Sequence, residues 1–168
     1  MDFDGVICDS TDECLINSFN SYNIYKKNNE IFIKSLEEID IKLKNEFKNI
    51  RPYIKGAKEY LNFYDYYYSC KANLSLVDFL SFENKSLDHD YFAKIFYQQR
   101  EKLKKNNLKD WISYNYVFEE LIIFLNSLDY YYIATLKDKE SVIDILKYNK
   151  IKIFEEKILD FRIIKTKI

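Results

Sequence analysis

Hydrophobic positions recur at steps of three and four through most of the chain and change character only beyond residue 129. Between 11 and 25, Cys14, Leu15, Ser18, Phe19 and Tyr22 share one helical face. Ser10 or Thr11 stands ready to cap that helix, and Asp12 and Glu13 lie in its first turn. The same spacing predicts a helix over 35–47 through Leu36, Ile39, Leu43 and Phe47. Pro52 is suited to a first helical turn, and Ile54, Ala57, Leu61 and Tyr64 give the segment after it one apolar face. Further amphipathic stretches cover 74–82, 90–103 and 114–128. Tyr130, Tyr131, Tyr132, Ile133 and Ala134 then form a short aromatic and β-branched run that predicts a buried strand ending at Thr135. A helix follows from Asp138 or Lys139 through Val142, Ile143, Ile145 and Leu146 to about Asn149, and 158–161 predicts a second strand.

A strand, a hydroxyl-bearing loop, a helix and a strand make an α/β unit. The expected fold is therefore α/β and predominantly helical overall. A partial Rossmann-like core is built from 1–10 and 112–168, and 11–111 is inserted as a helical cap subdomain. With 168 residues, 48% of them hydrophobic, the chain can bury a core of this size.

Charge narrows the partners. Twenty-six Lys and Arg balance 27 Asp and Glu, so no global field draws the chain to nucleic acid or anionic lipid. Sixteen Tyr and 13 Phe accompany abundant Lys, Asn and Ile, all residues with AT-rich codons. The aromatic excess is read as coding bias rather than as a base-stacking surface. Cys8, Cys14 and Cys70 have neither metal-ligand spacing nor an even count, which points to a reducing, cytoplasmic setting. No apolar run approaches the ~20 residues of a membrane span. The expectation is no membrane and no nucleic acid.

The chemistry-bearing stretch is Asp2-Phe3-Asp4-Gly5-Val6-Ile7-Cys8-Asp9-Ser10. In extended backbone, residues two apart share a face, so Asp2 and Asp4 converge at one strand end, where open α/β sheets bind ligands. One carboxylate can attack an electrophile while the other moves protons. A phosphate ester repels carboxylates, so the attack calls for a cation such as Mg2+ and for hydroxyl or amine donors, with Thr135 and a lysine as candidates.

This stretch resembles the first motif of the haloacid dehalogenase superfamily, in its phosphoglycolate-phosphatase-like and sugar-phosphomutase-like branches. Ile133-Ala134-Thr135 is similar to the second motif, and the helical region between the two has the length and character of that family's cap. The resemblance implies an aspartyl-phosphate on Asp2, proton transfer by Asp4, a phosphoryl oxygen held by Thr135, and Mg2+ bound by the Asp2 carboxylate and the Asp4 carbonyl. It implies a small phosphorylated metabolite as substrate. For the third-motif lysine, Lys165 or Lys167 fits the place after the 158–161 strand, whereas Lys137 lies close to the second motif. Dehalogenating members generally lack the second aspartate, so Asp4 favours phosphoryl transfer. Only Met1 precedes Asp2 and only Ile168 follows Lys167, leaving no residues for the family's strand before Asp2 or its acidic fourth motif. The expectation is a fragment truncated at both ends, with weak Mg2+ binding and diminished catalysis. The alternative is a non-catalytic remnant or helical protein-interaction module.

The remaining polar residues have plainer readings. Asp9 and Ser10 suit a helix N-cap, and His89, between Asp88 and Asp90, suits an exposed helix start. Arg51 and Lys55 suit a loop around Pro52 and Gly56.

Overall fold

The computed structural model describes residues 1–27, 31–69, 75–82 and 84–160. The chain is predominantly helical and divides into two compact units, Thr11–Asn107 and a second made of Met1–Ser10 with Leu108–Ile168. The division thus falls after Asn107, and residues 108–111 go with the second unit.

Among the described residues the regular elements of the first unit are all helices and 3-10 turns. Helix α1 (Thr11–Tyr25) is its axis, packed by α2 (Ile41–Ile50), α3 (Ala57–Ser69) and α5 (His89–Asn106), with the short α4 (Leu76–Ser81) between the last two in the chain. The spacing of α1 predicts one apolar face, yet Asn17, Asn20, Ser21 and Asn23 are also buried. Most of their polar groups find partners at close range, Asn17 Oδ1 excepted. Asn20 receives the Ile33 N–H and donates to the Ile33 carbonyl, both at 2.9 Å, and Ser18 Oγ lies 3.0 Å from the Tyr64 hydroxyl. Satisfied in this way, such groups avoid the roughly 1–3 kcal/mol that an unmade buried hydrogen bond costs. Around α1 the aromatics interlock. Phe47 and Phe96 each stack on Tyr60, with centroids 5.7 and 5.3 Å apart, and Phe63 meets Phe47 edge-on at 5.3 Å.

The helix expected over 35–47 is two elements instead. Glu38 Oε1 accepts the N–H groups of Lys34 and Ser35, closing a 3-10 turn over Leu36–Glu38. Asp40 then caps α2 by accepting from Lys42 N and Leu43 N at 2.9 and 3.2 Å. Local carboxylate-to-backbone bonds stop one helix and start the next. Pro52 lies in a 3-10 turn, Arg51–Tyr53, and α3 begins only at Ala57.

The second unit contains α6 (Leu108–Ser113), which the hydrophobic pattern did not mark, α7 (Glu119–Ser127) and α8 (Lys139–Tyr148). Among the described residues it also holds four two-residue strands. The first, β1 (Cys8–Asp9), pairs antiparallel with β2 (Tyr116–Val117), so the start of the expected 114–128 helix is a strand, and helix begins only at Glu119. The other pair, β3 (Ile133–Ala134) and β4 (Ile158–Leu159), is parallel, joined through α8. The chain start adds a third parallel segment beside β3. Asp2 bridges to Ala134, the Met1 ammonium donates to the Tyr132 carbonyl at 2.7 Å, and the Ala134 N–H donates to the Met1 carbonyl at 2.9 Å.

The run 130–134 is not a fully buried strand. Tyr131 and Ile133 face the core while Tyr130 and Tyr132 are 63% and 51% exposed, a period-two alternation with one wet face. Among the described residues no helix is long and apolar enough to cross a membrane.

Candidate functional site

The acidic loop is organised by Phe3. Its ring is fully buried, which sends the side chains on either side of it, Asp2 and Asp4, away from the core. Its carbonyl accepts three N–H groups, from Val6, Ile7 and Cys8 at 3.4, 2.9 and 3.0 Å, so the chain wraps tightly around one oxygen. Gly5 completes the wrap at φ +79°, a left-handed conformation that side chains resist, and its N–H donates to the Cys8 carbonyl at 2.8 Å. This accounts for a glycine directly after the second aspartate.

The two carboxylates differ in surroundings. Asp2 is exposed, and its Oδ1 accepts the Phe3 N–H at 2.7 Å. Asp4 is half-buried, and its Oδ1 accepts the Ser10 hydroxyl at 2.5 Å and faces the Lys137 ammonium at 3.4 Å. Lys137 is itself only 3% exposed. Its Nζ donates to Asn115 Oδ1 at 3.2 Å and sits 6.0 Å from the centre of the Trp111 ring. A buried ammonium needs such company, because an isolated charge in the interior costs several kcal/mol.

Thr135 follows β3 directly and is buried. Its N–H extends the parallel pairing to the Leu159 carbonyl at 3.0 Å, and its Oγ1 accepts the Lys137 N–H at 3.0 Å. The Asp2–Ala134 bridge therefore brings Asp2 beside the residue that precedes Thr135, and the turn from Thr135 to Lys137 carries the ammonium to Asp4. Asp160, which follows β4 and is 1% exposed, accepts the Lys139 N–H at 3.2 Å, while Asp138 accepts the Ser141 N–H at 2.8 Å. Both carboxylates thus serve the start of α8, where the helix dipole favours negative charge.

Of the residues singled out in the sequence, Asp2, Asp4 and Thr135 are gathered at one end of the parallel segments. Lys165 and Lys167 lie outside the described residues. Lys137, which sequence spacing places too close to Thr135 for the third-motif lysine, is the lysine that meets Asp4. Ser10, read as a helix cap, spends its hydroxyl on Asp4, and Asn115 carried no signal in the sequence. Arg51, Lys55 and His89 belong to the helical unit. Arg51 Nη1 donates to the Ile54 carbonyl at 3.3 Å, the Lys55 N–H donates to Glu59 Oε2, and His89 Nε2 is 2.7 Å from Asn62 Oδ1.

The chain matches no family model, no curated protein and no solved structure.

The donors for a divalent cation are few. Among the described residues there is no group of three or more His, Cys, Asp or Glu side chains that could hold a metal. What the loop presents is the exposed Asp2 carboxylate and the Asp4 carbonyl, which the turn bypasses in favour of the Phe3 carbonyl. Magnesium is commonly held by one or two carboxylates, with water and substrate phosphate completing its octahedron. These two oxygens are compatible with that mode and with weak binding.

Proposed function

We propose that the chain is a phosphatase-like hydrolase acting on a small phosphorylated metabolite, with Asp2 as nucleophile and Asp4 as acid and base. One observation carries this reading: the backbone bridge from Asp2 to Ala134, which sets an acidic loop against a hydroxyl-bearing strand end and a buried lysine. Such a grouping pairs attacking and proton-moving carboxylates with donors for phosphoryl oxygens. In the first half-reaction an Asp2 oxygen forms a bond to phosphorus and the ester P–O bond breaks. Protonated Asp4 gives its proton to the departing oxygen. In the second, Asp4 as carboxylate takes a proton from water as the water oxygen bonds to phosphorus, and the acyl-phosphate P–O bond breaks to restore Asp2 and release phosphate. Ser10 and Lys137 hold Asp4 in place, and Thr135 offers its hydroxyl to the phosphoryl oxygens. Bound Mg2+, held by Asp2 and the Asp4 carbonyl, would offset the repulsion between carboxylate and phosphate.

The test is hydrolysis of an aryl phosphate with and without Mg2+. Turnover that requires Mg2+ and disappears in Asp2→Asn is the expected result. Turnover unchanged by Asp2→Asn would remove Asp2 as nucleophile. A second reading, a protein-interaction module, is favoured by α7, in which Ile123 and Phe124 are 76% and 47% exposed and only Leu125 is buried. It predicts no turnover and an increase in sedimenting mass with concentration. A monomer that hydrolyses the ester would dismiss it.

A further inference from the structure

We infer that Asn115 is a positioning residue, a neutral acceptor that holds the Lys137 ammonium toward Asp4 without cancelling its charge; this rests on the phosphoryl-transfer reading given above. Asn115 is 3% exposed and lies in the turn between α6 and β2, where its own N–H donates to the Ile112 carbonyl at 2.8 Å. Its side-chain amide is committed at both ends. Nδ2 donates to the Trp111 carbonyl at 2.9 Å, and Oδ1 accepts from Lys137 Nζ at 3.2 Å. The opposite amide orientation would press an NH2 against the ammonium and set two carbonyl oxygens face to face, so the neighbours fix which way the group points. The Trp111 carbonyl therefore acts through Asn115 to set the height of the lysine, and the Trp111 ring flanks the same ammonium at 6.0 Å.

The choice of amide over carboxylate has a consequence for charge. Beside Lys137 Nζ the structure places the Asp4 carboxylate and the neutral Asn115 oxygen. With Asp4 ionised, lysine and aspartate balance, and with Asp4 protonated, as the first half-reaction requires, the pair is positive; in either state an arriving dianion meets no excess negative charge from this pair. A carboxylate at position 115 would be nearly isosteric and would keep a charged acceptor for the lysine, while giving up the bond to the Trp111 carbonyl. It would also add one negative charge beside the lysine, and the anion would be held less well. Geometry and charge can therefore be separated by two substitutions at one position.

The experiment uses the full chain with lysine 15Nζ labels and inorganic phosphate as the probe. A buried, hydrogen-bonded ammonium exchanges its protons slowly and gives an observable 15Nζ–1H signal, assigned to Lys137 by its absence from Lys137→Arg. Asn115→Leu is expected to abolish that signal while the backbone amide spectrum stays dispersed. Asn115→Asp is expected to keep the signal and to weaken phosphate binding about tenfold or more, the scale of one added unit charge a few ångströms from the anion. In steady-state hydrolysis the same aspartate variant should raise KM more than it lowers kcat. Persistence of the signal in Asn115→Leu, or unweakened phosphate binding by Asn115→Asp, would overturn the inference. Should the leucine variant fail to fold, the aspartate variant decides alone. A parent chain that neither binds phosphate nor hydrolyses esters would sink the phosphoryl-transfer reading, and with it the role in anion binding. The ammonium signal would still report whether Asn115 holds Lys137.

Discussion

Glu13 and Arg100 form a buried fork within the helical unit, and Glu13→Gln breaks it with almost no change in volume. The Arg100 Nε and Nη2 groups donate to Glu13 Oε1 and Oε2 at 2.8 and 2.9 Å, and the residues are 1% and 6% exposed. The guanidinium also lies 4.9 Å from the centre of the Phe96 ring. Glutamine keeps one acceptor oxygen but removes the charge, leaving the Arg100 cation buried without the Glu13 carboxylate. Removing one partner of a buried pair costs about 3–5 kcal/mol. The retained acceptor places Glu13→Gln near the lower figure, about 3 kcal/mol. Since urea slopes for small proteins are about 1–3 kcal/mol per molar, the unfolding midpoint should fall by about 1–3 M with the slope unchanged. The double variant Glu13→Leu with Arg100→Met removes both charges at similar volume and should lie within about 1 kcal/mol of the parent, or above it. Added salt should leave the single-variant cost nearly unchanged, because buried pairs are screened far less than exposed ones. A loss below about 1 kcal/mol for Glu13→Gln, or a double variant worse than the single, would refute the view that α1 is fastened to α5 by this charge pair.

Three further outcomes follow from local geometry. Ser10→Ala removes the 2.5 Å bond to Asp4 and should cost about 1.5–3 kcal/mol in thermal unfolding, with Ser10→Thr recovering most of it; a loss under about 0.5 kcal/mol would mean the hydroxyl does little there. Gly5→Ala should cost about 1–2 kcal/mol from backbone conformation alone, since an added Cβ meets nothing within 4 Å; a urea midpoint equal to that of the parent would contradict it. Burial holds the Tyr60 and Tyr64 phenols well above their ordinary value, so the folded form keeps protons that the unfolded chain releases. That contribution to stability is complete below about pH 10 and is lost as pH rises beyond it, so tyrosinate absorbance should appear in two stages, exposed rings first and these two only with unfolding.

Much of the helical plan can be read from the sequence because local chemistry marks it. Ser10 and Thr11 with Asp12 and Glu13 announce the start of α1, and Asp138 announces α8 by capping it. Where reading fails, a competing local bond or a one-sided environment is responsible. Asp40 interrupts a continuous apolar period by capping mid-run, and the aromatic run at 130–132 looks uniformly apolar although alternate rings face solvent. The burial of Asn17 and Asn20 is invisible to periodicity, since polar residues on a central helix are accommodated by partners as distant as Phe96 and Ile33.

At the site, the legible part was whatever a period of two or a short motif could encode: Asp2 and Asp4 flanking Phe3, and Thr135 at a strand end. The illegible part was set by distance in space. Asn115 lies 22 residues before Lys137 and reaches it only because Cys8–Asp9 pairs with Tyr116–Val117, anchoring the turn that bears the amide. Spacing from Thr135 argues against Lys137, yet a two-residue turn closed by the bond from its N–H to Thr135 Oγ1 is what aims its side chain toward Asp4. The fixed elements here are few and short: two-residue strands, one carbonyl gathering three N–H groups, one buried ring. A site assembled from such pieces owes its rigidity to the hydrogen bonds that close its turns more than to its sheet. Substitutions that spare every carboxylate but open one of those turns should therefore disturb it as much as loss of a carboxylate.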